Sequence, residues 1–536
     1  MKQLLSQINM VTIINKLNHV IIKRMFLAFS LLFCVFGTFS QKAATIDSLS
    51  VIERDFQFEL FKNRYFQIPS LINQANLGKF SYGEARYLYG EGELRHPQEY
   101  KKQNGLFAKT ASLANLENTD WTFYGSLEYL NTRIEDVENN LTYGITEYNS
   151  PYYFFQKTTG LWNHQNYNFE VSAARKVNSK LSLGGYLNYD TNFYFRKTDT
   201  RNELTALKIN GKLSASYQFN EKHLLSVALG TEFFKTDSEL GNKFPENNTE
   251  LTANYYLNTG LGSYIKNIDN GFETKRVIPQ LQLHWFLKQN NWDVSVESAT
   301  KYGVERWIDK NIVRVEENDE LTKYSFLNQQ FNVVFNQYRK NSLLSINLNA
   351  EYLKGKGKVW QETGTYYAKN FNATNYNFKT EANILFYKQL LNKVSLGIKY
   401  ANVEQLDLNY AYQFDYQFLE PTVALGLYKD ISTKVAFFTK LSGLYHHVVD
   451  MQHDPFAANN IYVDWIGNNV ADYTGTSSFN FNTKLGFDVK LKNENKLECS
   501  ITGDYWKATS LSDEAVNYVS KNDDYLSLVL GLKLYF

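Results

Sequence analysis

Polar and apolar side chains alternate along several stretches of the chain. Over residues 207–219 the odd positions are apolar or small and the even positions are polar. The same division recurs over residues 344–352 and 479–491. A period of two places one set of side chains on each face of a β-sheet. These segments run to about ten residues or more, which suits a strand tilted across a bilayer better than the shorter strands of soluble domains.

The connections between these segments fall into two classes that largely alternate. Short polar turns are predicted near residues 178–180, 220–222, 289–291, 339–341, 391–393, 430–432 and 493–495. Long loops are predicted at roughly 132–165, 237–274, 304–322, 356–375, 448–477 and 509–524. Short turns at one end and long loops at the other are typical of outer-membrane barrels, in which the turns face the periplasm.

Aromatic residues lie beside the predicted short turns. Amphipathic rings prefer the level of the lipid headgroups, so these residues predict a periplasmic girdle. They are Phe219, Trp285, Phe286, Trp292, Tyr338, Phe386, Tyr387 and Tyr428.

The chain ends in a segment with one apolar face. Counting back in steps of two from Phe536 gives five leucines, from Leu534 to Leu526. The spacing of Gly531, Leu534 and Phe536 resembles the signal that the barrel-insertion machinery reads. We therefore expect that machinery, and outer-membrane lipid, among the partners.

The predicted fold is all-β: a transmembrane, antiparallel, up-and-down β-barrel. Unpaired backbone groups are costly in hydrocarbon, so the spanning strands must close on themselves. The segments give about eighteen strands, with sixteen as the alternative, in a barrel over residues 81–536. The first strand is expected near 83–94 and the last at 525–536.

The N-terminus has the features of a secretory signal, predicted over residues 1–40. Lys23 and Arg24 precede the apolar run 25–36, and small residues stand before a cleavage point after Ser40. A membrane anchor is the alternative, but the apolar run is short for a span. Residues 41–80 are too aromatic for a solvated tail, and are expected in the periplasm or the lumen: inside the barrel, below it, or as a first strand pair.

Composition supports a membrane wall built from strands. Aromatic residues make up 16% of the chain, more than a soluble core usually needs. The mean hydropathy is -0.42, and after the N-terminus no stretch approaches the roughly 18 to 20 apolar residues of a spanning helix. The net charge of +1 argues against a nucleic-acid partner. Cys499 is the only cysteine after the predicted signal, which excludes an internal disulfide.

Residues 76–99 carry a resemblance to a known family. The stretch contains Asn76-Leu77-Gly78, Gly83-Glu84-Ala85-Arg86-Tyr87 and Gly90-Glu91-Gly92-Glu93-Leu94-Arg95-His96-Pro97-Gln98-Glu99. Together with Trp121-Thr122-Phe123-Tyr124-Gly125 and Pro151-Tyr152-Tyr153, it resembles an uncharacterised family of barrels in the Bacteroidota outer membrane. The resemblance implies the fold and the location but no activity. It also implies a neighbouring TonB-dependent receptor locus, so such a receptor or a surface lipoprotein is a further candidate partner.

Two groups of residues are candidate sites. Polar positions expected to face the lumen are Lys208, Asn210, Lys212, Asp293, Glu297, Asn349, Glu351, Asn480, Lys484, Asp488 and Lys490. Because both charge signs occur among them, no strong ion preference is expected. His446, His447, His453 and Asp454 form the densest set of metal-binding side chains, although a solvated polar loop is the simpler explanation. We predict no cofactor and no enzyme, since the sequence shows no nucleophile, phosphate-loop or zinc-protease motif.

These observations leave two hypotheses for function. The first is a porin-like, passive or gated outer-membrane channel for small polar solutes, or an accessory to nutrient or metal uptake. The second is a non-transporting barrel whose loops scaffold surface partners or a TonB-dependent receptor. A TonB-dependent transporter itself is excluded, because residues 41–80 are too short for a folded plug and such barrels have about 22 strands. An open lumen would favour the channel, and a lumen obstructed at all depths would weaken it.

Overall fold

Eighteen long antiparallel strands of the described chain pair in sequence and close into a barrel. The structure is a computed structural model that describes residues 49–536 except 63–65, 75–79, 117–118, 143–146, 244–254, 267–270, 311–319, 362–365, 388, 455–460, 493–494 and 512–517. The first strand pairs with the last, from Tyr82 opposite Tyr535 to Gly92 opposite Tyr525. This pairing leaves no free edge, and it confirms the predicted fold class and strand number.

The strands are of two kinds. The barrel wall consists of β1 (Phe80–Gly92), β2 (Lys102–Asn115), β3 (Trp121–Val137), β5 (Gly160–Lys176), β6 (Leu181–Arg196), β7 (Arg201–Gln218), β8 (His223–Gly241), β11 (Gly271–Lys288), β12 (Trp292–Asp309), β13 (Glu320–Tyr338), β14 (Ser342–Gln361), β15 (Tyr366–Phe386), β16 (Leu391–Asp407), β17 (Tyr412–Asp430), β18 (Val435–Asp454), β19 (Ser477–Lys490), β20 (Lys496–Ser510) and β21 (Asp524–Tyr535). A separate three-stranded sheet is formed by β4 (Tyr153–Phe155), β9 (Tyr256–Asn258) and β10 (Tyr264–Lys266).

The helices belong to segments of the chain that precede or connect the wall strands. The N-terminal segment forms helix α1 (Val51–Phe61) and a 3-10 helix (Pro69–Gln74). A π-helix (Val463–Gly467) runs into helix α2 (Asn468–Thr474) between β18 and β19. None of the helices in the described ranges combines the length and the apolar character needed to cross a bilayer.

One end of the barrel carries the short connections and is called the turn end; the other is called the loop end. The side chains that face outward near the turn end are apolar. On β21, Leu526, Leu530 and Leu534 all point outward and are exposed. The alternation seen in the sequence thus makes the outer belt of the wall.

The apolar face switches sides toward the loop end. On β14, Lys354, Lys356 and Lys358 point outward and are exposed, whereas Leu353 and Val359 are buried inside. A charged outer surface does not suit hydrocarbon, so this part of the wall protrudes beyond the apolar belt.

The strands are therefore longer than the sequence analysis predicted. The loop predicted at 356–375 consists largely of β14 and β15, and residues 391–393, predicted as a turn, are the first residues of β16. The predicted loop boundaries were wrong because the alternation inverts where the wall leaves the apolar belt. The predicted signal at 1–40 lies outside the described residues.

Candidate functional site

The N-terminal segment lies inside the barrel at the turn end, and residues 49–62 and 66–74 are called the plug. Helix α1 begins with a capping box, in which the Ser50 hydroxyl accepts from the backbone N–H of Glu53 and the Glu53 carboxylate accepts from that of Ser50. Its buried residues Val51, Ile52 and Phe56 face the wall. The described residues of this segment thus contact side chains on the inner face of the wall.

Ion pairs fasten helix α1 to the wall. Arg54 donates to Asp488 at 3.1 Å, and the two side chains are only 1% and 2% exposed. The guanidinium also lies 4.3 Å from the centre of the Tyr535 ring. Asp55 pairs with Lys440 of β18. Burial opposes the charge on Asp55, but Lys440 and neighbouring lysines hold the pKa of its carboxyl below its usual range.

Hydroxyl groups fasten the 3-10 helix to the opposite wall. The backbone N–H of Ser70 donates to the Ser214 hydroxyl at 2.7 Å, and the Ser70 and Ser216 hydroxyls lie 2.6 Å apart. Gly184 of β6 permits this close approach. A Cβ there would lie 2.5 Å from the carbonyl carbon of Pro69 and closer still to the Ser70 nitrogen.

Aromatic rings fill the space between the ion pairs of helix α1 and the hydroxyl contacts of the 3-10 helix. Phe58 packs edge-on against Phe80, with ring centres 4.7 Å apart. Four rings predicted for the periplasmic girdle also pack inward on the plug. Phe286 packs against Ile68 and Leu71, and Tyr338, Tyr387 and Tyr428 surround Ile52 and Phe56. The girdle prediction was wrong for these four residues, because their strand positions face the lumen.

The residues predicted to face the lumen do not form one site. Four of them contact or border the plug directly: Asp488 through Arg54, Lys212 through the carbonyl of Gln67 at 3.4 Å, and both Glu297 and Asn349 through a small cavity. That cavity has a volume of about 230 Å³ and is lined by Gln67, Gln282, Glu297, Ala299, Lys301, Gln330, Asn332 and Asn349.

The other predicted lumen residues mostly pair with neighbouring wall strands. Lys208 binds Glu147 at 3.0 Å, Asn210 accepts from Gln280, Asp293 accepts from Asn336 and Tyr338, Glu351 accepts from Asn328 and Gln330, Asn480 donates to Asp504, and Lys484 binds Glu498. Lys490 is exposed at the end of β19. Lys208 and Lys484 thus have acidic partners, whereas the Asp293 and Glu351 carboxylates are held by uncharged donors.

The loop end is covered by residues 147–156, 255–265 and 461–474, which are called the cap. Tyr148 stacks on Phe326 of the wall with ring centres 4.3 Å apart, and the Tyr152 hydroxyl donates to the carbonyl of Lys358 at 3.1 Å. Asp407 accepts from the backbone N–H groups of Leu261 and Ser263. Plug and cap therefore occupy both ends of the lumen.

A buried ionic cluster ties the cap to the wall. Arg276 of β11 is fully buried and donates to Glu305 at 3.2 Å and to Glu147 of the cap. Burial raises the pKa of Glu147, but the positive charges of Arg276 and Lys208 lower it by more than burial raises it, so the net shift is downward. The Glu147 charge is therefore kept in the folded state.

A pocket of about 580 Å³ lies between the cap and the wall. One side is β17, whose inward rings Tyr412, Phe414, Tyr416 and Phe418 follow one another along the strand. The Tyr416 and Phe418 rings are nearly parallel, with an interplanar angle of 13° and centres 6.2 Å apart. These two rings are called the aromatic platform.

The β1–β2 connection lines another side of the pocket through His96 and Glu99. The His96 ring meets Tyr473 of the cap edge-on at 5.7 Å. Burial, with the nearby Arg95, lowers the pKa of His96 to about 4. The ring is therefore neutral at physiological pH.

The four residues predicted as metal ligands are not brought together. His446 points into the pocket and bonds Glu420 at 2.9 Å, whereas His447 stacks on Tyr445. His453 bonds the Tyr412 hydroxyl, nearer the loop end. Neighbouring strand positions face opposite sides of the wall, which separates His446 from His447. His453 lies further along β18 beside Tyr412 and Phe414, and Asp454 is exposed at the end of that strand. The described part of the chain holds no group of three or more His, Cys, Asp or Glu side chains that could bind a metal ion.

The predicted insertion signal lies on the closing strand. Leu534 and Phe536 point outward and are exposed, while Gly531 stands opposite Arg86 and Ser500. The backbone N–H of Phe536 donates to the carbonyl of Ser81. The signal itself stays a prediction.

Arg54, Ser70 and the aromatic platform were not predicted from the sequence. The platform had a visible signal, because rings at 412, 414, 416 and 418 alternate with polar residues at 413, 415 and 417. Arg54 and Ser70 had none, since their partners lie 434 and 146 residues away.

Comparison with known proteins adds a family. The model of a family of unknown function, DUF6850, matches residues 69–536. None of the curated proteins compared with the chain matches it.

Solved structures with a similar fold include three transport proteins. The unliganded ferric citrate transporter FecA has 8% identity, a TM-score of 0.40, and coverage of 85% of this chain and 78% of that chain. The open form of the ferric-catecholate import receptor Fiu from E. coli K12 has 9% identity, a TM-score of 0.37, and coverage of 86% and 82%. The toluene transporter TbuX from Ralstonia pickettii has 9% identity, a TM-score of 0.29, and coverage of 88% and 92%. With TM-scores below 0.5 these likenesses carry no argument, and the barrel rests on its own strand pairing.

Proposed function

We propose that this chain, which belongs to the family of unknown function DUF6850, is a gated outer-membrane channel for small polar solutes. Its turn end would face the periplasm and its loop end the exterior, in lipid reached through the barrel-insertion machinery. The role is transport and not catalysis. Because plug and cap occupy both ends of the lumen, the proposed channel is gated and not permanently open.

The polar fastening of the plug carries this proposal. A barrel of eighteen strands encloses a wide lumen unless something fills it. Here the filling segment is held by ion pairs and hydroxyl contacts, through Arg54, Asp55 and Ser70, together with packing of its apolar side chains on the wall. The Ser70 hydroxyl contacts and the partly exposed Asp55–Lys440 pair have a small net free energy when water can replace the partners. The plug can therefore leave the wall while it stays joined to β1 at Phe80.

A reversible crosslink tests whether the plug must move. Ser70→Cys with Ser216→Cys places two thiols where the hydroxyl oxygens lie 2.6 Å apart, in a Cys499→Ser background. We expect that oxidation abolishes single-channel steps in planar bilayers and that reduction restores them. The matched control is Ser216→Cys with Ser226→Cys, which joins β7 to β8 within the wall. Equal conductance of the oxidised plug crosslink and the oxidised control would refute the gate.

Deletion of residues 49–74 separates the possible outcomes. Steps from both the intact chain and the deletion would show a gate that opens spontaneously. Silence from the intact chain with steps after deletion would show a plug that needs a releasing partner, such as a TonB-dependent receptor system. Silence from both would overturn the channel and favour a barrel that scaffolds surface partners through its loops.

A further inference from the structure

The pocket beneath the cap offers flat apolar surfaces at one side. Tyr416 and Phe418 form the aromatic platform, and Trp506 also lines the pocket. Neither platform ring is fully buried. The platform suits a ligand with an apolar face, because the electron-rich face of an aromatic ring attracts C–H groups.

Two amide groups offer unpaired hydrogen-bonding atoms on the same pocket. The Asn149 side-chain nitrogen and the Asn258 side-chain oxygen have no hydrogen-bond partner among the described residues. Asn258 is only 1% exposed, and its amide nitrogen already donates to the carbonyl of Pro151 at 2.7 Å. One free donor and one free acceptor suit a hydroxyl group, which can both accept and donate. A hydrocarbon would leave both atoms unpaired.

The charged side chains of the pocket are already engaged. Arg95 binds Glu138 at 2.9 Å. Glu420 binds Lys399 at 3.0 Å and His446 at 2.9 Å. Glu99 is exposed, and Arg95 beside it donates to its backbone carbonyl at 2.9 Å. Among the described residues, the lining therefore presents no unpaired cation to select an anionic ligand.

We propose that this pocket binds a small neutral saccharide, stacked on Tyr416 and Phe418 and hydrogen-bonded through its hydroxyl groups to Asn149 and Asn258. Sugar rings combine an apolar C–H face with hydroxyl edges, so they match both parts of the lining. The volume of about 580 Å³ lies within the range of roughly 300 to 1,000 Å³ usual for small-molecule sites. The inference rests on the proposed channel, for which it names the solute class.

Equilibrium binding to the full barrel tests the inference. The protein is purified in a detergent without a sugar headgroup, and its tryptophan fluorescence, to which Trp506 of the pocket contributes, is followed during titration. The probes are maltose, cellobiose, lactose, mannobiose and xylobiose, with gluconate as a charged probe and toluene as a hydrocarbon. We expect saturable binding of at least one disaccharide and none of gluconate or toluene. Failure of every disaccharide, or saturable binding of toluene or gluconate, would overturn the inference.

Variants of the platform establish where the sugar binds. Tyr416→Ala and Phe418→Ala should each weaken disaccharide binding about tenfold, as expected for loss of a stacked ring. Tyr416→Phe keeps the ring and should bind like the unchanged protein, which also controls for folding. Tyr352→Ala removes a ring from the outer face of β14 and is the matched control. Unchanged affinity in Tyr416→Ala and Phe418→Ala would overturn the assignment of the site.

The binding test of the site and the conductance test of the channel can fail independently of each other. A barrel that binds disaccharide in detergent but never conducts, even without residues 49–74, would overturn the channel and leave the site. A barrel that conducts but binds none of the disaccharides would overturn the site and leave the channel.

Discussion

Gly184 provides a direct way to release the plug without deleting it. In Gly184→Ala the new methyl carbon would lie 2.5 Å from the carbonyl carbon of Pro69 and 2.7 Å from the Cα of Ser70. Both atoms are backbone, so no side-chain rotation relieves the clash. The 3-10 helix must move away, and Ser70 then loses its contacts with Ser214 and Ser216.

The expected size of the effect follows from two contributions. Overpacking of a tight contact costs about 1 to 3 kcal/mol, and each lost hydrogen bond costs about 1 kcal/mol. The docked plug is therefore destabilised by about 3 to 5 kcal/mol. The ratio of undocked to docked molecules should rise by about two to four orders of magnitude.

Open probability in planar bilayers measures this ratio. Gly185→Ala is the matched control, because its methyl carbon would lie on the other face of β6, at an ordinary 3.7 Å from Leu213. We expect a large rise in open probability for Gly184→Ala and none for Gly185→Ala. In a barrel that lacks residues 49–74, Gly184→Ala should have no effect, which excludes damage to the wall. Equal behaviour of the two alanine variants in the intact chain would refute the reasoning.

Three further perturbations have defined outcomes. Asp488→Ala leaves Arg54 buried and unpaired, so plug docking should weaken by about 3 to 5 kcal/mol in the same conductance assay, whereas Arg54→Met with Asp488→Leu should restore docking to within about 1 kcal/mol. The lowered pKa of His96, about 4, means that its neutral form stabilises the fold fully above pH 6.5 and that this is lost as pH falls toward 4. Hydrogen exchange of the β1–β2 connection should therefore show about 1 to 2 kcal/mol less protection at pH 4.5 than at pH 7, and His96→Gln should remove the difference. Arg276→Met leaves the buried Glu305 carboxylate without its cationic partner, so proteases should cleave the cap faster. Adding Glu305→Met should restore resistance to cleavage. An unchanged cleavage rate in the single variant would contradict the role of this ion pair.

The wall of the barrel could be predicted from the sequence because its information is local. Alternation over 207–219 decides which side chains face lipid, and the leucines from 526 to 534 mark the closing strand. Pairing between neighbours then follows from short turns, since each strand meets the next in sequence. Eighteen strands could therefore be counted before their register was known.

The extent of the strands was predictable only in part. Where the wall leaves the apolar belt, the inward face becomes apolar and the outward face charged, as on β14. A period of two remains, but its sense is inverted, so the sequence analysis assigned 356–375 to a loop. The inversion depends on the cap, which supplies the apolar surface that these inward side chains cover.

The contents of the lumen were decided only by the tertiary structure. Arg54 meets Asp488, and the platform on β17 lines the same pocket as Asn149 and Asn258, in a space that exists only after closure. Periodicity specifies a face but not what lies opposite it, because the partner across a lumen depends on strand tilt, barrel width and the fold of the loops. Local alternation of polar and apolar residues therefore determines the barrel, whereas its plug and its pocket arise from contacts between residues far apart in the chain.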